Sequence, residues 1–388
     1  MKHQENMISE PTTSVDSIKQ KKILLGQLNS LGDCLYATTI ARQIKTDFPG
    51  CHLTWAIGSM CSSILEENPY VDDVWIVPLL SVEEVPTVWK KFKEQALERK
   101  RKGDFDDIYL TQISPDNLHN YDGTIRTSLF RSYPYPITVP IAPVVRLTLD
   151  EVEKVRVFAE SNGLIDKSHV ILFECSPKSG QSFVTLEFAL KTAQNLISNI
   201  PDLSIVLSSN LSFQSSDARI IDGSVLSFRE NAELTKYCTL LIGCSSGISW
   251  LCTSDWAKPL PMIQLINPTS FWFASFVHDY KYWGLNVNSI IEMSTCSENK
   301  LYDCISSTIK EGFELSHRKF NEQIPIQFNT FITLLFSFIY KFDFLKAICL
   351  FKCNFHRHGF HPQIIIWWIP KLVIYPFNRI LSRFRLRK

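Results

Sequence analysis

Lys-Ile-Leu-Leu-Gly-Gln-Leu-Asn-Ser-Leu-Gly-Asp, residues 22–33, is an apolar strand that runs into a Gly-containing turn, with an acid, Asp33, at the turn's exit where a helix begins. This layout places a carboxylate at the C-terminal edge of a parallel sheet, where open α/β proteins put their chemistry. Gly32 permits a tight turn and a close approach of backbone to a bound molecule. Asp33 then has two readings. It projects into a cleft as a general base, worth about 10²–10⁴ in rate when correctly placed, or it caps a helix starting at Cys34.

Outward from this segment the chain alternates between strands and helices. Apolar strands are expected at 23–28, 52–57, 74–77 and 105–110, with helices at 34–47, 58–67 and 86–102 between them. Phe48-Pro49-Gly50 and Asn68-Pro69 supply the stops. Pro134, Pro136, Pro140 and Pro143 then break the rhythm and mark an extended linker or an active-site loop. Beyond 147 the alternation restarts. Helices are expected at 149–162 and 184–198, strands at 170–173, 203–207, 240–242 and 262–266, and Asn231 as the cap of a short helix to Tyr237. The fold class is therefore α/β, with two Rossmann-like, doubly wound domains facing a cleft. The expected divisions are a mobile lead-in at 1–20, a first domain at 21–146, a second at 147–320, and a C-terminal tail at 321–388.

Composition supports a globular chain of two domains: 388 residues, 45% hydrophobic and 20% charged. The net charge of +1 hides an asymmetry. Residues 321–388 hold ten Lys/Arg against two Asp/Glu, which leaves the first 320 residues at −7. An acidic body without RNA-binding motifs argues against a nucleic-acid partner. The tail is rich in Phe, Ile and Trp, but its longest uncharged apolar run, 328–340, is shorter than the ~20 residues that span a bilayer. Trp367-Trp368 and the basic end at 383–388 instead suit a segment lying among anionic headgroups. The eleven cysteines include no CxxC pair, which points to a reducing compartment. Residues 1–20 lack the apolar core of a secretion signal.

The second half carries two candidate anion-binding turns. Gly243-Cys244-Ser245-Ser246-Gly247 presents backbone N–H groups and two hydroxyls at the start of a helix. Ser176-Pro177-Lys178-Ser179-Gly180-Gln181-Ser182 adds Lys178, a cation suited to a leaving diphosphate. Taken alone, each is more often plain strand–helix punctuation, and neither matches GxGxxG or a P-loop. Arg126 and Arg131, on the loop before the domain boundary, are candidate contacts to an anionic acceptor. The basic helix at 86–102 reads as a solvated face, because glutamates interleave its lysines. Trp272, His278 and Trp283 are candidates for stacking on a base or for core packing.

Together these pieces resemble the bacterial heptosyltransferase family, glycosyltransferase family nine, of GT-B architecture. The resemblance rests on the opening strand with Ser30-Leu31-Gly32-Asp33, on Ala37-Thr38-Thr39, Phe48-Pro49 and Glu67-Asn68-Pro69-Tyr70-Val71-Asp72. In the second half it rests on 226–234, Leu241-Ile242-Gly243 and Ser245-Ser246-Gly247. It implies an inverting, metal-independent transfer of a sugar from a nucleotide-sugar donor to a lipopolysaccharide or related surface-glycan acceptor, with no cofactor. Asp33 would be the base. Ser176, Lys178, Gln181, Ser245, Ser246 and Gly247 would hold the donor, and Ser30, Gly32, Arg126 and Arg131 the acceptor. Domain closure would exclude water. The implied location is cytoplasmic, peripheral on the inner face of the bacterial inner membrane, through 321–388. Two departures stand out. The family's donor turn reads Asp-Thr-Gly with His three residues later, where this chain has Ser245-Ser246-Gly247 and Trp250. The family's donor-loop lysine falls at Gln181. The alternatives are a catalytically silent GT-B scaffold or binding protein, and a sugar-nucleotide epimerase.

Overall fold

The computed structural model of the chain describes residues 20–178, 180–294, 297–362 and 366. The expected lead-in up to residue 19, and the tail features Trp367-Trp368 and 383–388, lie outside the described residues.

The first lobe is a four-stranded parallel sheet in the order β3-β2-β1-β4. It is built from β1 (Lys22–Gly26), β2 (His52–Gly58), β3 (Asp73–Val77) and β4 (Asp107–Leu110). Helix α1 (Leu31–Asp47) covers one face and α2 (Val85–Arg101) the other. Alternation along β1 shows why. Ile23 and Leu25 enter the cluster of Leu35, Ile40 and Ile44, while Leu24 meets Trp89, Phe92 and Ala96. A short helix, α3 (Ile125–Phe130), follows, and the proline-rich stretch after it has no regular structure.

The second lobe is a six-stranded parallel sheet in the order β10-β9-β8-β5-β6-β7. Its elements in chain order are α4 (Leu149–Ser161), β5 (His169–Glu174), α5 (Leu186–Asn199), β6 (Leu203–Ser208), β7 (Ile220–Asp222), α6 (Glu230–Leu234), β8 (Leu240–Gly243), α7 (Gly247–Leu251), β9 (Met262–Leu265), α8 (Phe276–Tyr282), β10 (Ile290–Met293), α9 (Glu298–Glu311) and α10 (Phe313–Phe320). Thr148 opens α4 with a reciprocal capping box to Glu151. The expected two-sheet α/β architecture is thus present.

Several local expectations are corrected. The helix expected at 58–67 is a single 3-10 turn, Ser62–Leu65. Helix α1 begins at Leu31, not Cys34, so Ser30 precedes it and Asp33 sits inside its first turn. Asn231 is buried within α6 and donates to Ser227 O at 2.9 Å instead of capping it. Arg126 lies in α3, and Arg131 terminates that helix; neither is on an open loop.

The tail, too, folds back. Helices α11 (Asn329–Tyr340) and α12 (Phe344–His358) form a hairpin against the body. Phe328, Phe331, Ile332 and Leu335 bury themselves with Tyr121 of the first lobe and Ile266 and Phe273 of the second. No helix among the described residues is long and apolar enough to cross a membrane.

The two lobes are packed on one another. A single apolar cluster runs from β1 and α1 to Trp250, Leu251 and Phe276 of the second lobe. Arg229, 3% exposed, reaches across from the second lobe. It donates to Ser63 O and Glu66 O at 2.9 Å each and pairs with Glu151 at 2.7 Å.

Candidate functional site

In each sheet the strand order reverses at one place, and α/β proteins bind ligands beside that reversal. In the first lobe it lies between β1 and β4. There the loop after β1 is braced by Gln112, from the loop after β4. Gln112 Oε1 accepts from Leu28 N and Asn29 N at 3.0 Å each, and its Nε2 donates to Asn29 O at 2.7 Å. One buried carboxamide thus satisfies the backbone of a segment that has left its strand ladder.

This loop delivers Asp33 to the head of α1, where the residue is 8% exposed. Its carboxylate accepts a short, charged hydrogen bond from Arg126 Nη1. Arg126 is itself 3% exposed, and its guanidinium lies over the ring of Trp250 at 5.2 Å. Burial pushes the Asp33 carboxyl above its ordinary value, and the opposing pull of Arg126 and the Ser30 side chain is smaller. Gly32 also packs against this arginine. A Cβ on it would come within 2.9 Å of Arg126 Nη2, so the missing side chain makes room for the arginine.

In the second lobe the reversal lies between β8 and β5. The turn after β8 and the end of β5 meet there, and the meeting point is Glu174, which is 2% exposed. Its carboxylate accepts from Cys244 N at 2.8 Å, Ile248 N at 3.1 Å, Ser249 Oγ at 2.5 Å and the Ser246 hydroxyl. Ser245, with a φ of +50°, turns its hydroxyl to Ala274 O. The turn expected to hold an anion therefore already holds a carboxylate of the protein itself, and the hydroxyls of Ser245 and Ser246 are engaged internally.

The two turns face each other. A Cβ on Gly247 would sit 3.5 Å from Leu31 Cβ, at the start of α1, and 3.0 Å from Phe228. Ser30 and Ser246, next in the chain to this contact, are respectively exposed and half-buried; on the loop after β5, Ser176 is half-buried and Lys178 exposed. Gln181 is buried, its carbonyl accepting from Asn267 N at 2.7 Å. Ser176 Oγ lies 3.0 Å from Ser209 Oγ. Trp250 is walled in, stacked 3.9 Å from Phe276 and edge-on to Tyr36.

Arg131 lies in a joint between the lobes. It pairs with Asp122 at 2.6 Å and donates to Tyr282 Oη at 2.9 Å. Arg357, from α12, pairs with the same Asp122 oxygen, Oδ2, at 2.8 Å and donates to His278 O at 2.9 Å. Burial alone would raise the Asp122 carboxyl; the two arginines together hold it below its ordinary value. Asp279 closes the joint. Neither carboxyl oxygen has a hydrogen-bond partner of ordinary geometry, and burial pushes it up to about 6. Trp272, His278 and Trp283 pack into the same region, on Tyr121, Phe273 and Phe130, so core packing is their observed role. On α2, Lys93 pairs with Asp116 and Arg99 with Asp104, in keeping with a solvated face.

Sequence reasoning missed Glu174, Gln112 and Asp122. Glu174 had a visible signal, since it is an acid ending an otherwise apolar strand. Among the described residues no group of His, Cys, Asp and Glu is arranged to hold a metal ion.

No model of a known protein family matches the chain, and no curated protein matches it in sequence. Solved structures match it in fold. The E. coli ADP-heptose lps heptosyltransferase II is 14% identical with a TM-score of 0.47, covering 77% of this chain and 99% of its own. The E. coli heptosyltransferase WaaC with ADP is 12% identical with a TM-score of 0.46, covering 75% and 99%. The glycosyl transferase family 9 from Veillonella parvula is 16% identical with a TM-score of 0.52, covering 77% of this chain and 94% of its own. The chain has the two-lobed fold of that glycosyl transferase family 9 structure, the architecture that the resemblance in its opening strand and turn implied.

Proposed function

We propose that the chain is an inverting, metal-independent glycosyltransferase that moves a sugar from a nucleotide-sugar donor to a lipopolysaccharide or related surface-glycan acceptor. The observation that carries this reading is the apposition of the two switch-point turns. Asp33 stands at the head of α1, and Leu31 of the same turn lies against Gly247 of the second lobe. In this reading the acceptor hydroxyl lies at Ser30 and gives its proton to the Asp33 carboxylate. The acceptor oxygen attacks the anomeric carbon as the bond to the nucleoside diphosphate breaks, and the leaving group departs with the electron pair. A base whose proton affinity is raised by burial is better matched to that task than an ordinary aspartate. Arg126 positions Asp33 and keeps a positive charge beside it. Donor contacts fall to the exposed Lys178, to Ser176 and to the backbone at Gly247, because the hydroxyls of Ser245 and Ser246 are already bonded. The enzyme works at an anionic membrane surface, which the basic tail meets.

Glu174 favours a second reading, a catalytically silent scaffold or binding protein of the same fold. It occupies the donors that a diphosphate would use. Thermal unfolding in the presence of nucleoside diphosphates and nucleotide sugars separates the two. A ligand that binds the folded chain raises the melting point, and no rise with any of them would leave the scaffold. Release of nucleoside diphosphate from a binding nucleotide sugar, abolished in Asp33→Asn, is the result expected of the transferase.

A further inference from the structure

Helix α12 has two apolar faces, and the fold uses one. Ala347, Leu350 and Asn354 turn inward, and Asn354 donates to Tyr121 O at 2.7 Å. Phe344, Ile348, Phe351 and Phe355 recur at helical spacing on the outward side and are exposed; Leu345, beside them, is 82% exposed. Phe342, 81% exposed, precedes the helix and Phe360 follows it. A contiguous exposed apolar stripe of this kind marks an interaction surface.

The geometry points to this outward stripe as the surface that lies in an anionic bilayer, with α12 parallel to the membrane plane. The inference rests on the membrane-surface part of the function proposed above and assigns it to particular residues. Charge selects the occupant. Lys341 and Lys352 flank the stripe in solvent, and Asp343 is the one acid in 341–388. Residues 359–388, which continue from the helix, add six Lys/Arg and no Asp/Glu. Apolar side chains rimmed by cations match an interface of acyl chains under anionic headgroups. The same rim opposes a second copy of the chain, which would bring cations against cations. Length sets the orientation: fifteen residues span about 22 Å, less than the ~30 Å of a hydrocarbon core. The helix is also no free anchor. Arg357 ties it to Asp122 of one lobe and His278 of the other, and His358 meets Asp122 O at 2.6 Å. The bilayer therefore engages a rigid part of the body.

The test is flotation of the full chain with vesicles of phosphatidylcholine alone or with phosphatidylglycerol. Wild type is expected to float with the anionic vesicles only. Leu345→Ser/Ile348→Ser/Phe351→Ser alters exposed positions and should bind those vesicles at least about tenfold more weakly at an unchanged melting temperature. Leu345→Trp, which enlarges the stripe, should strengthen binding. Wild-type-like flotation of the triple variant overturns the assignment. If replacing the six Lys/Arg of 371–388 by Gln abolishes flotation while the triple variant floats, the tail still meets lipid and only the α12 face is refuted. Failure of wild type to float with either vesicle refutes the membrane reading as well. A vesicle-independent dimer that the triple variant dissociates overturns lipid in favour of a second copy.

Discussion

Asp279 offers the sharpest quantitative test of the joint between the lobes. It is fully buried on α8, facing Arg357, Arg126, Thr124 and Asp122, and burial lifts its carboxyl from 3.8 to about 6. The arginines oppose the lift without cancelling it. A raised carboxyl binds its proton more tightly in the folded chain than in the unfolded one. Its cost is therefore absent below the unfolded value of 3.8, grows as the pH rises, and is complete above about 6. The difference of about 2 pKa units corresponds to about 3 kcal/mol at 1.36 kcal/mol per unit. Close to half of that is already felt at pH 5, so between pH 5 and pH 8 the wild type should lose about 1.5 kcal/mol through this group. Asp279→Asn keeps the shape and removes the titration. Glu292, pushed up to about 7 chiefly by burial, tilts both proteins the same way and largely cancels in the comparison. Urea midpoints of variant and wild type, measured at pH 5 and pH 8, should diverge in the variant's favour as the pH rises. An equal difference at both pH values would show that Asp279 is ionised normally and that water reaches the joint.

Four further outcomes are expected. Asp33→Asn should lower sugar transfer by about 10²–10⁴ while leaving nucleotide binding intact, as read by turnover beside a thermal-shift titration. Arg126→Met strands the Asp33 carboxylate in the interior without its counter-charge; it should cost about 3–5 kcal/mol in urea unfolding and move the acid limb of the activity profile to higher pH. Glu174→Gln puts an amide NH₂ among donors that now share a carboxylate, so the 244–249 turn should loosen; if Glu174 blocks the donor, affinity for nucleoside diphosphates rises in the same titration. Arg357→Ala removes one of the two cations on Asp122, whose lowered carboxyl value means stability present above the usual aspartate range and lost in acid. The variant should therefore be weakened most near neutral pH, and limited proteolysis should cut near 341–343 sooner.

The strands of the first lobe were legible because each is a short apolar run, with β1 and β2 ending at a glycine and β3 just before Pro78, and two alternating halves were enough to imply two sheets. Asp33 could be located but not surrounded: its partner Arg126 is 93 residues away, and no local pattern announces it. Strands β7 and β10, the two edges of the second sheet, escaped notice because their apolar runs, Ile220-Ile221 and Ile290-Ile291, are cut short by an acid, Asp222 and Glu292. The 3-10 turn at Ser62–Leu65 failed as a helix because the segment before Asn68-Pro69 is too short to propagate one. The tail shows a deeper limit. An amphipathic helix advertises an apolar face without saying what covers it, and α11 found the protein's own Tyr121 and Phe273. Glu174 was passed over because an acid at a strand end reads as surface until the turn that it holds together is seen.

The ring of Trp250, stacked on Phe276 and edged by Tyr36, belongs to an apolar cluster that neither lobe completes alone. The second half expressed by itself would keep the Phe276 stack but turn the other side of that indole, now covered by Tyr36 and Arg126 of the first lobe, toward water. The molecule should consequently melt as one cooperative unit, with a single heat-absorption peak, although its backbone is drawn as two sheets.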